Sequence, residues 1–177
     1  MRRPPHRSDA ARLRALRGAG PAAALALASA DAADHFDRLP DEVAARWATF
    51  GRWERTYFPK LVGVVLEELK VDYCRMRLPY RPELEQVAGL VHGGAIATLI
   101  DTVVVPAVGA AYDQGWGYAT LSMDIQYLAA VRAEDAVAEG WVTQRGRSIV
   151  FCRAEVTTAS SRPAATGSLI YKVTPPR

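Results

Sequence analysis

The residues of this 177-residue sequence best placed to do chemistry are Asp101 and the triplet His92-Gly93-Gly94 that precedes it. Asp101 is the only ionisable residue between Gly93 and Ala111, in a run that reads GGAIATLIDTVVVPAVGAA. A carboxylate in such surroundings costs several kcal/mol unless it is paired or protonated. No Lys or Arg lies within one helical turn of it, and a chain seldom carries that cost for packing alone. The glycine pair is open to two readings. At a helix start, two residues without Cβ let a ligand approach unpaired N–H groups at the positive end of the dipole, which is how an oxyanion hole is built. Alternatively, Gly93 and Gly94 only permit close packing and His92 is a helix cap. His92 and Asp101 are nine residues apart, so at ~1.5 Å rise per residue they stand about 13 Å apart along one helix. Either they serve different sites, or an antiparallel helix from a second subunit brings its Asp101 beside this chain's His92-Gly93.

The elements that must position these groups follow from periodicity. Ile96, Leu99, Ile100, Val103, Val104, Val105, Ala107 and Val108 occupy every face of the run, which predicts a central helix buried on all sides. It is too short and interrupted to span a membrane, and Pro106 is expected to kink it or close its regular part. Upstream, Asp41 and Glu42 open a leading helix at about 41–53 with Val43, Trp47 and Phe50 on its apolar stripe. Residues 61–78 hold two alternating patterns of opposite parity, and a turn or bulge at Glu67-Glu68 accounts for the slip. Behind the helix, Tyr118 to Ala129 alternates strictly, with Thr120, Ser122, Asp124 and Gln126 on one polar face. Further strands fit 136–143, 149–158 and 164–173 at hairpin spacing. The fold class is therefore α+β, a mainly antiparallel sheet curled around one long helix.

Composition narrows the partners. Residues 1–39 hold seven Arg and four Asp, leaving 15 basic and 15 acidic groups in 40–177. The neutral body offers no electrostatic footprint or stacking platform for nucleic acid. Residues 1–39 read as a disordered or weakly ordered tail rather than an export signal, and 40–177 as one domain. Cys74 and Cys152 lack metal-ligand spacing and read as reduced core residues of a cytoplasmic protein. No metal site and no nucleotide-cradling loop is expected, and the other histidines, His6 and His35, lie in the tail.

The stretch Gly89-Leu90-Val91-His92-Gly93-Gly94 through Leu99-Ile100-Asp101, with the alternating strand behind it, resembles the hotdog-fold acyl-CoA thioesterases of the phenylacetate-pathway type over about residues 60–174. The resemblance implies a curved sheet around a central helix, a homodimer with shared active sites, a dimer of dimers, and an acyl-CoA substrate without a separate cofactor. It implies that Asp101 activates water or attacks the thioester, that Gly93 N–H holds the carbonyl oxygen, and that His92 shapes the loop. Gln86 stands where the family usually has Asn. Thr120 matches the hydroxyl residue near the attacking water, with Ser122 beside it. Gly94 and the turn Arg145-Gly146-Arg147-Ser148 match the regions near the coenzyme. A non-catalytic hotdog module that binds acyl groups explains the fold but leaves Asp101 without a task. Hotdog hydratases usually place Asp and His close together, a pairing absent here.

Overall fold

The computed structural model describes residues 32–176. A short 3-10 turn at Ala32–His35 leads into helix α1 (Asp41–Trp47) and helix α2 (Phe58–Val62). Strands β1 (Val65–Lys70) and β2 (Tyr73–Leu78) follow, then a small hairpin of β3 (Glu85–Gln86) and β4 (Leu90–Val91). The long helix α3 spans Gly93–Gly109, and β5 (Gly117–Tyr127), β6 (Ala136–Arg145), β7 (Ile149–Thr158) and β8 (Pro163–Thr174) complete the chain. Six strands form one antiparallel sheet in the order β1-β2-β6-β7-β8-β5. The sheet carries α3 on one face, the α+β arrangement expected of a hotdog fold.

Alternation places the apolar side chains. Cys74, Met76 and Leu78 of β2, Ala138 of β6, and Leu169, Tyr171 and Val173 of β8 all join Leu99, Ile100, Val103 and Val104 of α3 in the main core. The helix sits close because two sheet positions lack a side chain. A Cβ on Gly140 would lie 2.7 Å from Val103, and one on Gly167 would lie 2.6 Å from Ile100. Cys74 and Cys152 are free and buried here, and burial pushes the Cys152 thiol up to about 12.

Four register shifts interrupt the sheet. One, between Val156 and Thr157, falls near the end of the β7–β8 pairing, and the other three are bulges that govern which way the side chains described below point. The first, between Leu66 and Glu68, is the slip legible in the sequence. The second lies between Thr120 and Ser122, and the third between Val142 and Gln144. Each inserts one residue and reverses the parity beyond it.

Three expectations change. Phe36 and Leu39 are 6% and 4% exposed, and Phe36 stacks on Tyr73 at 4.9 Å, so the packed domain begins before residue 40. Residues 1–31 lie outside the described residues. The leading helix stops at Trp47, with turns to Gly51. α2 takes in Leu61 and Val62, the start of the stretch read as strand, with Pro59 in its first turn and Gly63 closing it at φ 87°. The expectation at Pro106 is not among them: α3 includes Pro106, and its regular part closes three residues beyond it, at Gly109.

Candidate active site

α3 is not buried on every side. Gly94, Ala97, Thr98, Asp101 and Val105 form a stripe at helical spacing that the sheet leaves uncovered. Asp101 lies midway along it. Its Oδ1 accepts from Tyr171 Oη at 2.6 Å and from Thr120 Oγ1 at 2.8 Å. Tyr171 is 2% exposed on β8 and pairs with Thr120 of β5 across the sheet. Burial and then the hydrogen bond to Asp101 push the Tyr171 hydroxyl well above the usual tyrosine range, so it stays a donor to the carboxylate. One carboxylate oxygen is thus fixed by two hydroxyls. Tyr171 was not singled out from the sequence, where it is one of several alternating residues of a strand.

Beside Asp101 opens a cavity of about 640 Å³. Thr98, Thr102 and Val105 of α3 share its wall with Asp101, and Trp47, Phe50, Trp53, Phe58, Trp116, Tyr118 and Met123 supply most of the rest. Burial raises the Tyr118 hydroxyl to about 12, so it too faces the cavity uncharged.

The other expected residues collect elsewhere. His92 caps α3: its Nδ1 accepts from Gly94 N–H at 2.8 Å, which places the ring proton on Nε2. Gly94 N–H is therefore occupied, while Gly93 N–H precedes the first intrahelical bond and has no partner among the described residues. The Tyr127 ring lies over Gly93, where a Cβ would stand 3.4 Å from it, and its hydroxyl donates to Gly93 O at 2.9 Å. Gln86 braces the β3–β4 hairpin, its Oε1 accepting from Ala88 N–H at 2.8 Å. His92, Gly93, Gln86 and Tyr127 thus stand at the N-terminal end of α3, separated from Asp101 of the same chain by about two helical turns.

Two placements are corrected by bulges. Ser122 does not share Thr120's face. The bulge between them turns Ser122 away from α3, to the side where Asp124 and Gln126 line a small polar groove with Arg153 and Glu155. Arg145 does not stand on a rim. The bulge in β6 turns its guanidinium inward, where at 8% exposure it pairs with Asp72 and donates to Val108 O at 3.2 Å and Ala107 O at 3.4 Å. A cation there meets the negative end of the α3 dipole. Burial pushes the Asp72 carboxyl up against the opposing pull of Arg145. Gly146, Arg147 and Ser148 remain in an exposed turn at this C-terminal end of α3.

Among the described residues, no cluster of three or more His, Cys, Asp or Glu is arranged to hold a metal ion, and no helix is long and apolar enough to cross a membrane. A family model described as the thioesterase superfamily matches residues 88–165. A protein of Halobacterium salinarum named as a candidate esterase is 32% identical over 102 residues, which span 55% of this chain and 67% of that one. A conserved protein of Pseudomonas aeruginosa superposes with a TM-score of 0.64 at 25% identity, covering 68% of this chain and 95% of its own. The PaaI protein of the Escherichia coli phenylacetic acid degradation operon gives 0.66 at 16% identity, covering 75% and 94%. A thioesterase of Haemophilus influenzae gives 0.63 at 18% identity, covering 70% and 94%.

Proposed function

The chain belongs to the thioesterase superfamily, and from that membership we propose that it hydrolyses the thioester of an aryl or short- to medium-chain acyl-CoA to free acid and coenzyme A, with Asp101 as the reacting carboxylate. The observation that carries this reading is Asp101 itself, held through Oδ1 by Tyr171 and Thr120 at the wall of an apolar cavity. Its other oxygen is left to take a proton from water as that water adds to the carbonyl carbon, or to attack the carbon directly. The carbonyl oxygen becomes an oxyanion, and the bond to sulfur breaks as it collapses. In the water route the proton taken from water passes to the leaving sulfur, so coenzyme A leaves as thiol and the acyl group as free acid. After direct attack the thiolate takes its proton from water, and the acyl group stays on Asp101 as an anhydride until water hydrolyses it to the same acid. The reaction as written uses water and substrate alone.

The oxyanion needs a donor about 3 Å from the reacting carbon, and Gly93 of the same chain is too far along α3. β5 supports a solution. Among the described residues it ends the sheet with an unpaired edge, and Leu121 and Tyr127 on it are each 56% exposed. Pairing this edge with a second copy, antiparallel about a two-fold axis midway between Thr120 and Tyr127, sets Asp101 against the partner's Gly93. Each dimer then carries two shared sites, and a dimer of dimers repeats them. In the same dimer, the C-terminal end of α3, with Arg147 and Ser148, approaches the partner's helix start, where coenzyme phosphates would be met.

The test is a hydrolysis screen over a panel of acyl-CoAs with free thiol as readout, run on the wild type and on Asp101→Asn. Turnover by the wild type and its loss in a folded Asp101→Asn protein are expected. Binding of acyl-CoA without hydrolysis by the wild type would instead identify a non-catalytic acyl-binding module.

A further inference from the structure

The cavity beside Asp101 has walls of different origin. One is the open stripe of α3, and another is formed by residues 113–116 with Tyr118 and Met123 of β5. A further wall comes from residues 46–59, which lie ahead of the stretch matched by the family model, residues 88–165. We propose that this leading segment is the acyl-selecting wall of the site, and that Phe50 and Trp53 favour a flat, aromatic acyl group over a small one. The inference rests on the thioesterase reading and goes further, since that reading leaves the acyl group open and assigns no role to this segment.

The segment is built rather than loosely draped. Its aromatic rings form a ladder, with Trp47 and Phe50 stacked at 6.3 Å, Phe50 and Trp53 edge-to-face at 4.9 Å, and Trp53 and Tyr57 edge-to-face at 5.5 Å. Arg46 ties the start of the segment to the body by donating to Tyr112 O at 2.8 Å, and Lys60 Nζ closes the segment on itself by donating to Trp53 O at 2.5 Å. Trp47 rests directly on α3, where a Cβ on Gly109 would lie 2.5 Å from its ring. A residue with any side chain at 109 would push the wall off the helix.

The lining decides which part of the substrate enters. Among the described residues, Arg46 is the only basic one lining the cavity, and its guanidinium is engaged by the Tyr112 carbonyl, so these residues offer the phosphates of the coenzyme no free cation. Apolar and aromatic surface dominates, which suits the acyl end of the molecule. Phe50 and Trp53 are half-buried, and an incoming ring can continue their ladder in the offset or edge-to-face geometry that aromatic pairs prefer.

The experiment compares kcat/KM for phenylacetyl-CoA and acetyl-CoA in the wild type, Trp53→Ala and Phe50→Ala, with melting temperature recorded for each. The wild type is expected to favour phenylacetyl-CoA, and in each variant the ratio of the two kcat/KM values is expected to fall about tenfold. A second arm titrates phenylacetyl-CoA, and coenzyme A alone, into Asp101→Asn protein while tryptophan fluorescence is read. Quenching by phenylacetyl-CoA beyond that by coenzyme A is expected, and this arm stands if either alanine variant fails to fold. A wild type that turns over both substrates without preference, or variants that lose both equally with folding intact, would overturn the inference and leave the thioesterase reading in place. Equal quenching by coenzyme A alone would do the same. A wild type that hydrolyses no acyl-CoA would overturn the underlying reading itself.

Discussion

A carboxylate with one oxygen held by two hydroxyls has one oxygen left to react, and this divides the labour around Asp101. Replacing Asp101 with Asn keeps the shape and removes the charge. It is expected to lower kcat by about a hundredfold or more, as loss of a base or nucleophile does, with little change in melting temperature. Tyr171 acts through Asp101. A hydrogen bond to a charged group contributes about 1.5–3 kcal/mol, so Tyr171→Phe should lower kcat by about 10- to 100-fold while KM stays near the wild-type value. The decisive comparison is the double variant. If Tyr171 matters only by holding Asp101, then Tyr171→Phe adds no further loss in the Asp101→Asn background, whereas additive losses would mean that Tyr171 supports something else.

Among the elements, the bulged strand β6 separates the two arginines of the 145–148 turn. Arg145 is bound to Asp72 inside the protein, and removing one member of a buried ion pair leaves the other uncompensated, at a cost of about 3–5 kcal/mol. Arg145→Ala should therefore lower stability in denaturant melts. Arg147, exposed in the turn, should instead affect substrate: Arg147→Ala is expected to raise KM for acyl-CoA several-fold with stability unchanged. The opposite assignment of effects would return Arg145 to the coenzyme rim. The segment before α1 is a second case. Phe36 covers Tyr73 and Trp141 on the sheet face away from α3, and Phe→Ala in a packed cluster costs about 3 kcal/mol. Truncation through residue 39 should thus lower the melting temperature, and Phe36→Ala alone should reproduce much of that drop.

At the scale of the whole molecule, the proposed chemistry needs two chains. Asp101 and the His92-Gly93 turn are parted by the rise of α3, and β5 offers the free edge that can join a second copy. Complementation tests this. An Asp101→Asn protein and a His92→Ala protein, each nearly inactive, are mixed and allowed to exchange subunits. A mixed dimer carries one site with both lesions and one intact site, so activity should reappear. No recovery, with exchange confirmed by mass spectrometry, would mean that each chain builds its own site.

The sequence by itself determined the frame of this protein. The apolar run with one carboxylate produced α3, the alternating stretches produced the strands, and the slip at Glu67-Glu68 announced the first bulge, because two runs of opposite parity cannot both face one core without an inserted residue. The pairing of Pro59 and Gly63 also marked α2, a signal outweighed by the alternation around it. Only the tertiary structure decided where several candidate groups point. The bulges in β5 and β6 interrupt stretches whose alternation reads as continuous, so nothing local reveals that Ser122 turns away and Arg145 turns in. Tyr171 shows the same limit. Its partner Asp101 lies 70 residues away, and their meeting depends on the order in which β8, β5 and α3 are packed. Periodicity is a property of neighbours along the chain, whereas a bulge and a long-range hydrogen bond are settled by what the opposite strand and the helix above it require.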